Sequence, residues 1–252
     1  MNKIYKNRVI FFNEIVKNFK HIKISDLVVA HRIKNQLFNN LKGSAKKYFL
    51  LSKKYSLVNL TPNGRLAPKK ELEDAFNEYV LSYYKIIKNL NIQNLLKNFI
   101  PPVIRYKEPK INRINTKNTN RSELPHADSW AGWTEDFLLF ILPLSGDINN
   151  NKIRFYEVPK NINKDWLKKN DYQKVNRTIK NKFKLLKDHY KSGYLYIADI
   201  TVPHVTVRQP NAKGRLSIDS PLQFKVNNKK KSKKFNITNY ITSKENFLTI
   251  HQ

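Results

Sequence analysis

Residues 194–219 read YLYIADITVPHVTVRQPNAKGRLSID. Three short runs stand out in this stretch: Tyr194 to Ile200, Val205 to Arg208 and Arg215 to Ile218. Each is rich in β-branched and aromatic residues, and turn-forming residues such as Asn211-Ala212-Lys213-Gly214 lie between them. That combination predicts strands rather than helices. The same texture extends upstream through Val103 to Tyr106, Asp136 to Leu142 and Lys152 to Val158, with turns at Ser145-Gly146-Asp147 and Ser192-Gly193. Many short strands joined by turns predict a barrel or jelly roll.

Further upstream the pattern changes. Asp26 can cap a helix from Leu27 to Leu41, with Leu27, Ala30, Ile33, Leu37 and Leu41 on one face. A second helix is expected over Glu71 to Phe99, where Leu72, Phe76, Tyr79, Val80, Tyr83, Ile86, Ile87 and Leu90 recur at spacings of three and four. Asn63-Gly64 and Pro68 punctuate the loop before it, and Pro101-Pro102 closes the region. Residues 1–100 are therefore expected to be mainly helical and residues 101–226 to form the β core. A polar insertion at about 163–191 interrupts the strands. A basic tail, 227–252, contains Lys229-Lys230-Lys231-Ser232-Lys233-Lys234.

Composition narrows the chemistry. Cysteine is absent from the 252 residues, which excludes disulfides and thiolate metal sites and leaves His and carboxylate as metal ligands. Hydrophobic residues make up 40% and aromatics 12%, enough to build a core. No run is apolar and long enough to span a bilayer. The first twenty residues carry charges throughout without a signal-peptide pattern, so a cytoplasmic protein is expected. Lys and Arg number 48 against 19 Asp and Glu, a net charge of +29. Such a field favours anionic partners, whether a small acidic substrate, nucleic acid or a membrane surface, although biased composition and a solvated surface account for it equally well.

Two of the six histidines lie in telling contexts. His126-Ala127-Asp128 follows Pro125, and in an extended segment positions i and i+2 point to one side. His204 stands near the end of the Tyr194 to Ile200 run. Two imidazoles and one carboxylate form a facial set that leaves metal positions open, the arrangement used for Fe(II) and O2 chemistry. A 2-oxo acid can take two of those positions and O2 the third. Arg215, eleven positions after His204, is placed to pair with the far carboxylate of such an acid, and Ser217 at i+2 adds a hydroxyl. Arg208 competes for that role or meets an anionic group on the substrate.

His126-Ala127-Asp128, the distal His204 and Arg215-Leu216-Ser217 resemble the H-x-D, H, R-x-S pattern of Fe(II)/2-oxoglutarate-dependent dioxygenases. The resemblance covers roughly residues 100–226. HADSWAGW, FLLFILPL, GYLYIADITVPHVTV and GRLSID are further similar to bacterial oxygenases of carbohydrate and antibiotic biosynthesis clusters. It implies an α+β protein: a double-stranded β-helix (jelly-roll, cupin-like) core with the N-terminal helical region packed on it. It also implies Fe(II) held by His126, Asp128 and His204, 2-oxoglutarate held by Arg215 and Ser217, and oxidation of a C–H bond of a sugar-like or anionic small molecule. Tyr156 is a candidate hydrogen-bond donor to 2-oxoglutarate; Trp130, Trp133, Arg154 and Arg208 are candidate substrate contacts, with packing the alternative for the aromatics. Asp128 occupies the carboxylate position that halogenases of this group lack.

Three alternatives stay open: a nucleic-acid-acting dioxygenase of the same fold, a metal-binding cupin-like protein without oxidation, and a non-catalytic basic module. Against the first, Pro221 stands where its usual second arginine falls. A homodimer through the helical region is compatible with the sequence, and His21, His31, His189 and His251 receive no role.

Overall fold

The computed structural model describes residues 2–54, 70–109, 123–167, 179 and 183–225. Asn63-Gly64, Pro68, His251 and the lysine run at 229–234 lie outside them. Among the described residues are three α-helices and nine strands: α1 (Lys3–Val16), β1 (Ile22–Ser25), β2 (Val28–Arg32), α2 (Asn35–Lys54), α3 (Glu73–Asn89), β3 (Leu96–Asn98), β4 (Val103–Lys107), β5 (Phe137–Gly146), β6 (Asn151–Phe155), β7 (Tyr194–Asp199), β8 (His204–Arg208) and β9 (Arg215–Phe224).

The helices follow their apolar spacing. The Asn2 side chain caps α1 by accepting from the Tyr5 amide at 3.0 Å, and Tyr5, Phe12, Ile15 and Val16 line its buried face. Glu73 and Asp74 in the first turn of α3 complement the helix dipole, and Tyr79, Val80, Tyr83, Ile86 and Ile87 are buried. This helix stops at Asn89 rather than continuing to Phe99. Asn91 adopts a left-handed φ of 57°, a helix-ending conformation that asparagine tolerates, and Leu96 then enters the sheet opposite Phe224.

The helix expected over Leu27 to Leu41 is replaced by the β1–β2 hairpin and a helix that begins only at Asn35. The four-residue apolar run Leu27-Val28-Val29-Ala30 is buried on both sides. A continuous apolar run fits a strand covered on both faces as well as it fits a helical stripe, and pairing with β7 decides between them. Asp26 caps nothing helical; its carboxylate accepts from Tyr5 and pairs with Lys23.

All strand pairs are antiparallel. The large sheet runs β1-β2-β7-β5-β9, and beyond the long β9 both β3 and β4 pair with it. Three of its seven strands therefore come from the first hundred residues, interleaved with the helices. The small sheet consists of β6 and β8, widened by backbone bridges His126↔His204 and Tyr156↔Leu185. The architecture is a jelly roll with the helices on the outer face of the large sheet.

Strand alternation sorts residues between the faces. On β7, Asp199 turns outward and meets Arg8 of α1, whereas Tyr196 turns inward and approaches Phe155 of the small sheet, ring centroids 6.4 Å apart. The β4–β9 register places Arg105 opposite Ser217 and Lys107 opposite Arg215. The turn after β5 anchors the start of β9. Gly146 has φ of 89°, and a Cβ there would lie 2.2 Å from the Gly214 carbonyl oxygen, so only glycine fits. The Asp147 carboxylate accepts the Lys213 amide at 2.9 Å.

Candidate active site

The site starts with a backbone pairing. The His126 amide donates to the His204 carbonyl at 3.0 Å, and the His204 amide returns a bond to the His126 carbonyl at 2.8 Å. This places the imidazoles side by side, ring centroids 4.4 Å apart. Ala127 is extended, and Asp128 opens a short 3-10 turn to Ala131. The Asp128 carboxylate comes to 3.9 Å from His126 Nε2. One ligand atom from each of His126, Asp128 and His204 lies within 4.8 Å of the others.

The outer hydrogen bonds select the ligand atoms. His126 Nδ1 donates to the Leu124 carbonyl at 2.8 Å, and His204 Nδ1 donates to the Val202 carbonyl at 3.3 Å. A carbonyl only accepts, so each Nδ1 carries a proton, and in the neutral ring Nε2 is the nitrogen that offers a lone pair. Burial, reinforced by the neighbouring His204 ring and opposed by Asp128, pushes His126 down to about 4. The neutral imidazole it favours is the metal-binding form. Two imidazole nitrogens and one carboxylate oxygen suit a divalent first-row metal, so the residues present fit such an ion.

The inner face of the jelly roll also carries polar groups that have no partner among the described residues. Arg215 is 1% exposed. Its Nη1 donates to the Asn151 carbonyl at 2.9 Å, its guanidinium lies 5.5 Å from the Tyr190 ring centre, and its Nε has no partner. The Ser217 hydroxyl, the Asn151 Oδ1 and the Tyr190 hydroxyl are likewise buried without one. Each such atom costs about 1–3 kcal/mol unless a ligand satisfies it. The donors of this cluster, Arg215 Nε and the Ser217 and Tyr190 hydroxyls, suit an oxygen-rich anion.

Cations dominate that face. Lys107, 3% exposed opposite Arg215, is pushed down to about 8 by burial and by Arg105 and Arg215. Arg105 pairs with Asp219. Arg208 shares its face of β8 with His204 and Thr206, and donates to Glu123 at 3.0 Å and to the Glu108 carbonyl. Lys107, Asn151 and Tyr190 went unmarked in the sequence. Lys107 had a signal, since it stands two positions after Arg105 on the same strand face; Tyr190 had none, because it reaches Arg215 from the insertion.

Other candidates lie elsewhere. Trp130 is fully buried, donates from Nε1 to the Trp166 carbonyl at 2.8 Å, and packs with Ala127 and Ile179. Tyr156 packs against the same cluster. Both sit on the side of the small sheet opposite His204, because Ala127 and Tyr156 are each one residue out of phase with His126 and Phe155. In this structure both pack against the Ala127 and Ile179 cluster that backs the His126–Asp128 segment. Trp133 packs edge-on against Phe137 at 4.9 Å. Arg154 donates to the Leu186 carbonyl at 2.8 Å from the phase opposite Phe155. No described helix is long and apolar enough to cross a membrane.

No protein-family model matches the chain, and no curated protein does. Among solved structures, the fold is similar to the non-heme alpha ketoglutarate dependent carbocyclase SnoK from nogalamycin biosynthesis. The TM-score is 0.53 at 11% identity, over 89% of this chain and 84% of that one. It is also similar to AviO1 from Streptomyces viridochromogenes Tue57, with a TM-score of 0.51 at 13% identity, over 84% of this chain and 94% of that one. At these identities the likeness is one of fold.

Proposed function

We propose that this chain is an Fe(II)- and 2-oxoglutarate-dependent oxygenase that oxidises a C–H bond of a small anionic or sugar-like molecule. The observation that carries this reading is the convergence of His126, Asp128 and His204 from separate segments, on a jelly roll whose inner face also buries Arg215 and Ser217. When bound, the metal, 2-oxoglutarate and O2 supply the oxidising chemistry, with succinate and CO2 as co-products.

The chain's own groups have distinct tasks. His126 and His204 offer Nε2 and Asp128 a carboxylate oxygen, while the carbonyls of Leu124 and Val202 hold the rings in the required tautomer. Arg215 takes the distal carboxylate of 2-oxoglutarate through its fork, with Ser217 and Tyr190 donating hydroxyls to the same ligand. Lys107 and Arg208 supply positive charge for the anionic end of the substrate. Phe155, in ring contact with both His204 and Tyr196, keeps water from the ligand face. The catalytic core is the β-rich region from residue 101 onward, completed by β1, β2 and β3.

Anaerobic addition of Fe(II) and 2-oxoglutarate to the folded chain tests the proposal. The expected result is a weak visible charge-transfer band that needs both additives. A folded chain that gives no band removes the assignment. Succinate release across a panel of sugars, nucleotide sugars and acidic metabolites then identifies the substrate class.

A further inference from the structure

The buried ion pair between Arg8 and Asp199 belongs to none of the tasks above. Arg8 is 4% exposed and Asp199 1%. Arg8 Nε donates to both carboxylate oxygens, at 3.2 and 3.0 Å, Nη2 also reaches Oδ2, and Nη1 donates to the Glu135 carbonyl at the approach to β5. A buried pair of charges is weak evidence for stability, because desolvation offsets most of the attraction. The helix does not need it for docking either, since Tyr5, Phe12, Ile15 and Val16 already bury its apolar face.

What the pair touches is the loop that links β7 to β8. The Asp199 Oδ1 accepts from the Thr201 amide at 3.0 Å and the Thr201 hydroxyl at 2.6 Å, and the Asp199 carbonyl accepts the Val202 amide at 3.0 Å. The carbonyls that follow all point at the site's framework. Ile200 accepts the Ser129 amide at 3.1 Å, which holds the turn that presents Asp128. Thr201 accepts Trp166 Nε1 at 3.1 Å, and Val202 accepts His204 Nδ1 at 3.3 Å. Pro203 accepts the Tyr156 amide at 2.8 Å. One buried four-residue loop thus orients two of the three candidate ligands, and Asp199 fixes its first turn.

We propose that Arg8 and Asp199 are positioning residues of the metal site, setting the Ile200–Pro203 loop so that Asp128 and His204 present their ligand atoms to one point. The inference rests on the metal-site reading above and deepens it. It makes α1 part of the functional unit, although Arg8 precedes the first ligand by more than a hundred residues.

Co(II) titration of the full chain, read by visible d–d absorption, tests it, with circular dichroism and thermal melting reporting the folded fraction. Asp199→Asn and Arg8→Gln should remain folded at 10 °C, bind Co(II) about tenfold more weakly and give an altered band shape, since such outer-shell contacts are worth roughly 10–100-fold in metal affinity. Arg8→Lys should recover part of the loss. Phe12→Leu, a cavity one turn along the same helix face that removes no bond to Asp199, should lower the melting temperature and leave affinity and spectrum unchanged. If Asp199→Asn does not fold, Thr201→Val decides, with about a threefold weakening expected from the lost hydroxyl bond.

Folded variants that bind Co(II) like the parent, with the same spectrum, overturn the positioning role while the site itself survives. A parent chain that shows no Co(II) signal overturns the metal-site reading, and the positioning role falls with it. An affinity loss in Phe12→Leu equal to that in Arg8→Gln reduces Arg8 to general stability and also overturns the proposal.

Discussion

The two faces of the small sheet carry opposite chemistry on the same few residues. The inner face holds His126, His204 and Phe155, and looks across to Arg215, Ser217 and Lys107. Several of its buried polar atoms find no partner among the described residues. The outer face, one residue out of step, holds Ala127, Trp130 and Tyr156, closed over by Trp166, Ile179 and Phe183. There both indole nitrogens donate to backbone carbonyls. The inner face gathers its orphaned donors around the buried Arg215 cation, whereas the outer face, which leaves Arg154 Nε without a partner among the described residues, is packed with aromatic rings.

The largest expected effect comes from the inner face itself. His126→Ala, Asp128→Ala or His204→Ala should each abolish 2-oxoglutarate-dependent succinate formation and metal binding while the chain stays folded. Full turnover in any one of them takes that residue out of the ligand set. Next in size, Arg215→Ala should raise the Kd for 2-oxoglutarate about 100-fold, as expected from losing charge-assisted bonds worth about 1.5–3 kcal/mol each. Isothermal titration in the presence of Co(II) measures this. An unchanged affinity moves the role to another cation, and Arg208 is the first to examine.

Lys107 sharpens the comparison through pH. Its ordinary value of 10.5 falls to about 8 in the fold, chiefly through burial. Between these values the unfolded chain keeps a proton that the folded chain has released. Stability from this group therefore rises with pH from about 8 towards 10.5, and is flat below 8. The slope is at most about 1.4 kcal/mol per pH unit. Urea unfolding at pH 7.5, 8.5 and 9.5 should show the rise in the parent and its absence in Lys107→Met. A rise that persists in the variant belongs to a different group.

The smallest effect probes the outer face. Trp130→Phe removes the bond to the Trp166 carbonyl and should lower stability by about 1 kcal/mol, with Co(II) and 2-oxoglutarate affinities within about twofold of the parent. A tenfold loss of metal affinity without loss of stability would erase the distinction between the faces.

Much of this was legible before any coordinates. The strands at 103, 137, 151, 194, 204 and 215 begin within one residue of where β-branched runs and turn residues place them. The four residues singled out as His126, Asp128, His204 and Arg215 do lie buried or half-buried on one jelly roll, three of them converging. The misreading at Leu27 has a plain cause. An apolar run of four residues has no period of its own, and only the neighbouring β7 made it a strand. The face that Trp130 takes was equally hidden, because adjacency to a motif says nothing about which side a side chain takes once a turn intervenes.

The sequence by itself determined the strand-and-turn texture, the absence of thiolate chemistry, and the order of a metal-type triad followed by an arginine. These follow from local residue preference and from what each side chain can donate or accept. Tertiary structure alone decided which residues share an interior. The His126–His204 pairing, the placing of Lys107 opposite Arg215, the reach of Tyr190 beneath the guanidinium and the Arg8–Asp199 clamp each join segments far apart in the chain. Contacts of that kind depend on strand register and on which faces are left to be buried, and both are settled only when the whole sheet closes.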